Sequence, residues 1–343
     1  MLKGLNVIFS IVRFMYFDIT MPITLFAVVL TAVLLNGKIE CKLKMTFEEK
    51  EIGIRDVVLF VAAIALIVSI MVLIPRMAVT AVFLFAYSIL LFTFTYILSD
   101  VQTKTATVYC AAFAIITFSV ATASIMAYGL NSIFAYGASA LYILCGFSIL
   151  ALFYARRHAG KRWYLAVLPS ALFLALYLFY GGTAIWDHYL LNVYGIIFAV
   201  MIILYLGNLF TWKSTLVFTA LLTVADILLV LVTRTMVSAA THVSSLKLPV
   251  LITMPTIPQI LTSEGVLYMS LGLGDFFFAG LIALQTLKKF GLNTALLSAA
   301  AMMFSFFIFE AMMINIAVAA FPGTVMIICG WLPILVYKTL ARK

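Results

Sequence analysis

Eleven long apolar runs limit what this chain can fold into: residues 17–36, 56–74, 77–98, 105–126, 133–154, 163–181, 189–207, 213–233, 265–287, 293–319 and 321–340. A helix needs about 20 apolar residues to cross a bilayer, and each run is near that length. The runs are continuous rather than alternating, which selects helices over a membrane β-barrel. Composition agrees: 66% of the 343 residues are hydrophobic and only 10% are charged, against about a quarter charged in soluble domains. A mean hydropathy of +1.23 leaves more apolar surface than a water-soluble fold can cover. Soluble enzymes, secreted disulfide scaffolds, disordered tails and nucleic-acid-binding domains are thereby excluded. The expected fold is all-α, a polytopic transmembrane helical bundle forming one domain over residues 1–343, with the lipid bilayer as its surroundings.

The net charge of +9 fits cytoplasmic loops better than nucleic acid, because positive residues collect on that side of a membrane. With eleven alternating spans, Lys3, Arg13, Arg76, Arg234 and Lys247 share the side of the N-terminus, and the remaining sixteen of the 21 basic residues lie opposite. This bias places the N-terminus outside and the C-terminus in the cytoplasm. The weakest boundary is between 105–126 and 133–154, where only Tyr128-Gly129-Leu130-Asn131-Ser132 marks a turn. Residues 37–55 read as a solvated, mixed-charge cytoplasmic segment, and 234–264 as the one long extracytoplasmic connection. The first run is followed by no small-residue cleavage site, so no removed signal peptide is expected. Cys41, Cys110, Cys145 and Cys329 form no C-x-x-C pair, so neither a disulfide framework nor a metal or cofactor is expected.

Eight of the twelve acids fall in loops or at membrane edges; Asp18, Asp226, Asp275 and Glu310 do not. An ionisable group in hydrocarbon is costly, which makes each of these a functional candidate. Asp226 lies in the run 213–233 and Asp275 in 265–287, so their helices descend from the same outer face. At 1.5 Å per residue the two carboxyls are expected roughly 10 and 15 Å below it, within a turn of one level. Two carboxyls facing one another in a low-dielectric site share a proton, and such a dyad can activate water and protonate a leaving group. Gly272 and Gly274 would let another backbone approach Asp275. The plainer alternatives are an Asp that glues helices together and a G-x-G packing notch.

These residues resemble a known family. Gly272-Leu273-Gly274-Asp275 matches the G-x-G-D motif of the presenilin and signal peptide peptidase intramembrane aspartyl proteases. Asp226 falls where that family carries its first catalytic aspartate, although Ala225 replaces the usual preceding tyrosine. Pro322-Gly323-Thr324 stands where the family has Pro-Ala-Leu and keeps only the proline; Trp331-Leu332-Pro333-Ile334-Leu335 is a deeper alternative. Leu246 to Ile252 is similar to the segment before the second aspartate in archaeal and signal-peptidase-like members. The resemblance covers roughly residues 189–343, and 15–100 only as spans; the family has nine spans, against eleven runs here. It implies scaffold helices over 1–207 and catalytic helices over 208–343. Asp226 and Asp275 would be catalytic, with Gly272, Leu273, Gly274, Pro322, Gly323, Leu248, Pro249, Val250 and Leu251 shaping the substrate site. It further implies cleavage of transmembrane or signal-peptide segments, and the inferred sidedness resembles that of signal peptide peptidase, whose substrates have cytoplasmic N-termini. The alternatives are a proton- or cation-coupled transporter using the same carboxyl pair, which the lack of a visible internal repeat disfavours, and a catalytically silent scaffold.

The remaining features carry less. Val250 to Met254, framed by Pro249 and Pro255, reads as an edge strand able to pair with an unwound substrate, or as an interfacial segment. Glu310 is expected to act structurally, and Asp18 to sit at the interface. His158, His188 and His242 fall in loops and no H-E-x-x-H exists, which excludes a zinc protease. Gly137-Ala138-Ser139-Ala140 reads as helix packing, because no intramembrane histidine could serve a serine nucleophile.

Overall fold

The computed structural model describes residues 16–46, 52–71, 74–129, 132–157, 162–262, 265–316, 318 and 320–340. Lys3, Arg13, Glu48, Glu49, Lys50, Glu51, Leu130, Asn131, His158, Lys161, Glu264, Arg342 and Lys343 lie outside the described residues, as do the side chains of Lys38, Cys41, Lys42, Lys44 and Arg157.

The helices are α1 (Thr20–Thr46), α2 (Ile54–Met71), α3 (Arg76–Leu98), α4 (Thr103–Tyr128), α5 (Ile133–Arg157), α6 (Tyr164–Tyr180), α7 (Leu191–Leu209), α8 (Trp212–Ile227), α9 (Thr235–Ser244), α10 (Leu273–Phe290), α11 (Leu292–Ile316) and α12 (Gly323–Leu340). Among the described residues eight stretches are long and apolar enough to cross a membrane, two of them continued through π-helical turns at Trp186–Leu190 and Leu228–Val232. The chain is thus a multi-pass, all-α membrane bundle. Every one of the eleven apolar runs contains a helix. α1 continues nearly three turns past its run, into the charged segment taken for a solvated connection.

The connection 234–264 is also structured. It holds the amphipathic α9, which packs on α2, and the start of a β-hairpin. β1 (Leu251–Pro255) pairs antiparallel with β4 (Tyr268–Gly272), and the short β2 (Leu261–Thr262) and β3 (Gly265–Val266) pair nearer the tip. The ninth run is therefore not one helix from 265. Its first part is strand, and α10 begins only at Leu273. Leu251 to Pro255 supplies the physical reason, because it offers the Tyr268–Gly272 backbone a partner strand in register.

α10 is the centre of the molecule. Every residue from Phe276 to Thr286 is buried, and α1, α7, α8, α11 and α12 all touch this helix. Glycines permit the close approach: a Cβ at Gly280 would fall 2.5–2.6 Å from three side-chain atoms of Ile203 in α7. Polar side chains satisfy one another across the same contacts. Gln285 Nε2 donates to the carbonyls of Gly207 (2.9 Å) and Phe210 (2.7 Å), and Trp331 Nε1 donates to Thr286 Oγ1 (3.1 Å). By contrast, α4 and α5 pack mainly on each other and join the bundle through α6. In α5, Gly137 lies against Phe179 and the Ser139 hydroxyl donates to the Ala135 carbonyl, in keeping with helix packing.

Candidate active site

Asp226 is the next-to-last residue of α8, just before the π-helical turn Leu228–Val232. Its side chain is 9% exposed. Its Oδ2 accepts two hydrogen bonds from Thr324, one from the backbone N–H at 3.2 Å and one from the hydroxyl at 2.7 Å. Thr324 is the second residue of α12, where backbone N–H groups have no intrahelical partner. The helix start therefore supplies a free donor, and threonine adds another.

Asp275 is the third residue of α10, which corrects the expectation that it lies well inside a long span. Gly272 caps this helix, and its backbone N–H hydrogen-bonds the Asp275 carboxyl, as a residue at this position in a first turn can do. The two aspartates are close enough to interact electrostatically. Gly323 lies directly against Asp275: a Cβ there would fall 2.7 Å from the Asp275 Cγ. Consecutive residues of α12, Gly323 and Thr324, thus touch Asp275 and Asp226 respectively. Pro322 is buried just before them, and its carbonyl accepts the first bonds of α12, from Val325 (3.2 Å) and Met326 (3.4 Å).

The other expected site residues divide. Gly274 is exposed, with open space where a Cβ would stand, while a Cβ at Gly272 would make ordinary contact with Asp275 and Leu251. Leu273 is buried and donates its N–H to the Val250 carbonyl at 3.0 Å. Leu251 faces Gly272 across the hairpin, which puts Val250 and Leu251 beside the Gly-Leu-Gly-Asp segment. Leu248 and Pro249 are instead buried anchors. Three aromatic donors hold the backbone there: Tyr177 Oη to the Leu246 carbonyl (2.9 Å), Trp186 Nε1 to Lys247 (2.9 Å) and Tyr87 Oη to Pro249 (3.3 Å). Lys247 Nζ also pairs with Asp187 at 2.5 Å. The deeper Trp331-Leu332-Pro333 alternative is engaged elsewhere, with Trp331 bonded to Thr286.

β1 is a strand, as its β-branched residues suggest, but both of its edges are occupied. In an antiparallel pair alternate residues point their backbone groups outward. The bonds Leu273 N–H to Val250 and Thr256 N–H to Leu267 make Thr253 an outward residue. Asn192 covers it, accepting from Thr253 N–H (2.8 Å) and donating to the Thr253 carbonyl (2.7 Å). The same alternation turns Tyr268, Ser270 and Gly272 outward on β4, where no third strand lies alongside among the described residues. The open edge therefore belongs to β4 and leads straight into Asp275.

Asp18 is fully buried rather than exposed at an interface. It caps α1 by accepting from Thr20 N–H (3.0 Å) and Met21 N–H (3.1 Å), and it also accepts from Ile257 N–H (2.8 Å). His188 and His242 lie in short helical elements rather than loops. Among the described residues no group of three or more His, Cys, Asp or Glu could hold a metal ion. Sequence reasoning named Thr324 only as part of Pro322-Gly323-Thr324, without a role, and missed Asn192; both act through contacts between distant parts of the chain. The arrangement can hold two carboxyls against one small volume, one braced by hydroxyl and amide donors, with an unpaired strand edge running up to it. No family model matches the chain, and neither a curated protein nor a solved structure matches it.

Proposed function

We propose that the protein is an intramembrane aspartyl protease of the presenilin and signal peptide peptidase type, cleaving transmembrane or signal-peptide segments. The contact of Gly323-Thr324 with both Asp275 and Asp226 carries this reading, because it draws residues from three separate helices to one point. A carboxyl pair, one buried and one half-buried, with no cation bonded to it among the described residues is costly to keep inside a membrane bundle, and water activation gives it a use.

In the proposed reaction, one carboxylate removes a proton from a water held between the pair, and the water oxygen attacks the peptide carbonyl carbon. The carbonyl oxygen becomes a hydroxyl on the tetrahedral intermediate by taking the proton of the other carboxyl. As the intermediate collapses, the C–N bond breaks and the leaving amine takes the proton held by the first carboxyl. One hydroxyl returns its proton to the second, which leaves a carboxylic acid and restores the dyad. No metal or covalent enzyme intermediate enters. Thr324 would fix Oδ2 of Asp226 and leave Oδ1 for the water, while Gly274 leaves room beside Asp275. A helical segment must be unwound before its amide can be attacked. The outward groups of Tyr268 and Ser270, with the Gly272 carbonyl, offer an extended peptide a strand to pair with, ending at the carboxyls.

The bias of basic residues supports an extracytoplasmic N-terminus and a cytoplasmic C-terminus. Asp226 then stands on an outward-running helix, and the substrates would have cytoplasmic N-termini. The test is reconstitution into vesicles with fluorogenic single-span reporters of both orientations, with proton and sodium flux recorded in parallel. Cutting of the cytoplasmic-N reporter supports the proposal. Flux without cutting identifies a coupled transporter, inactivity in both assays a silent scaffold, and preference for the opposite reporter refutes the assigned sidedness.

A further inference from the structure

Among the described residues Glu310 is a buried acid with both carboxyl oxygens unpartnered. It lies in α11 and is 2% exposed. Leaving such a group unpaired costs a large desolvation penalty. A protonated carboxyl would still leave its carbonyl oxygen without a donor.

The surroundings of Glu310 are defined by the face of α11 that carries it. Phe307, Glu310, Ala311 and Asn315 follow three- and four-residue spacings and share that face. It meets the segment entering α1: Phe17 packs edge-on to Phe307, and Asn315 exchanges two bonds with the Tyr16 backbone, at 3.1 and 2.7 Å. Asp18 follows in that segment, near enough for its charge to act on Glu310, and its own oxygens are taken up by the three backbone N–H groups described above. Thr20, two residues further on, has a buried hydroxyl that also lacks a partner. Among the described residues no Lys, Arg or His pairs with Glu310 or Asp18. The face of α11 that carries Glu310 thus packs against the acid-bearing segment that enters α1, with no positive side chain paired to either acid among the described residues.

We infer that Glu310, with the Thr20 hydroxyl, binds a monovalent hard cation of the sodium type between the start of α1 and α11. Such an ion takes oxygen ligands directly, and one free carboxylate matches its charge. Calcium prefers six to eight oxygens and usually several carboxylates. The nearby Asp18 carboxylate, saturated by N–H donors, adds negative potential that favours a cation over a neutral water. A bound ion would clamp α1 to α11 and, through the bond of Asp18 to Ile257, steady the loop beyond β1. This site is separate from the aspartate pair and does not depend on the proposed proteolysis.

The test is thermal unfolding of the purified full chain in detergent, with NaCl titrated against choline chloride at constant ionic strength. A ligand that binds only the folded state raises Tm as its concentration passes Kd. Wild type is expected to gain several degrees with sodium, roughly what 1–2 kcal/mol gives a chain of this size. Glu310→Gln, which keeps the shape, is expected to show no sodium dependence, and Thr20→Val to need about tenfold more sodium. Equal Tm of wild type in both salts, or an unchanged sodium response in Glu310→Gln, overturns the inference. So does a Tm that follows pH but not sodium, which would identify a protonated Glu310 bridged by water. Should Glu310→Gln fail to fold, the sodium response of Thr20→Val against wild type decides.

Discussion

Thr324 gives both of its hydrogen-bond donors to a single oxygen of Asp226, although the two residues are 98 positions apart. That double bond from the first turn of α12 fixes where the Asp226 carboxyl lies, and Gly323 beside it leaves space for Asp275. Substitution can separate the two roles.

Replacing Thr324 by valine keeps the backbone donor and removes the hydroxyl. The loss of one buried hydrogen bond costs about 1 kcal/mol of stability. Cleavage is expected to fall about tenfold as Asp226 gains freedom, while Thr324→Ser stays near wild type. Thermal denaturation and reporter cleavage measured on the same preparations check both numbers.

Gly323→Ala tests space rather than bonding. The added Cβ would overlap the Asp275 carboxyl, 2.7 Å from its Cγ, and push it away from Asp226. Activity is expected to drop at least a hundredfold while Tm moves by only a few degrees, because a 1 Å misplacement of a reacting group can cost about 10²-fold. Full activity in a folded Gly323→Ala protein, which carries alanine where the resembled family does, would contradict the geometry and mean that Asp275 moves aside without loss.

Asn192→Ala uncovers the far edge of β1. It strands the Thr253 N–H and carbonyl, each worth about 1–3 kcal/mol if left unsatisfied. Hydrogen exchange at the Thr253 amide should accelerate by more than tenfold, with less change in the amides of α10. Unaltered protection at Thr253 would mean that Asn192 does not seal the strand.

Gly280→Ala concerns the crossing of α10 with α7. Its methyl would stand 2.5–2.6 Å from the side chain of Ile203, an overpacking that costs about 1–3 kcal/mol. Pairing it with Ile203→Val should recover part of the lost Tm; no recovery would place the strain elsewhere.

How much of this could be read from the chain follows the range of the interactions involved. Membrane insertion and helix positions were legible because apolar run length is a local property, and all eleven runs contain helices. Asp226 and Asp275 stood out because charge is rare inside such runs. The strand at Tyr268–Gly272 was not legible, since its apolar residues read equally as helix and only the distant Leu251–Pro255 makes them a strand. The same holds for Asp18, read as interfacial until Ile257 comes to cover it. The role of Thr324, named only within Pro322-Gly323-Thr324, stayed hidden for a related reason: nothing local to α12 indicates that Asp226 will bond to its first turn.

The central claim is that Asp226 and Asp275 act on one water as a single unit, and paired substitution tests it most directly. Cleavage of a helical reporter by purified wild type, Asp226→Asn, Asp275→Asn and the double variant should show both single variants at least about 10³-fold slower, with the double no worse than either. Folded single variants that still cut at the wild-type rate, or whose losses multiply in the double, would contradict it.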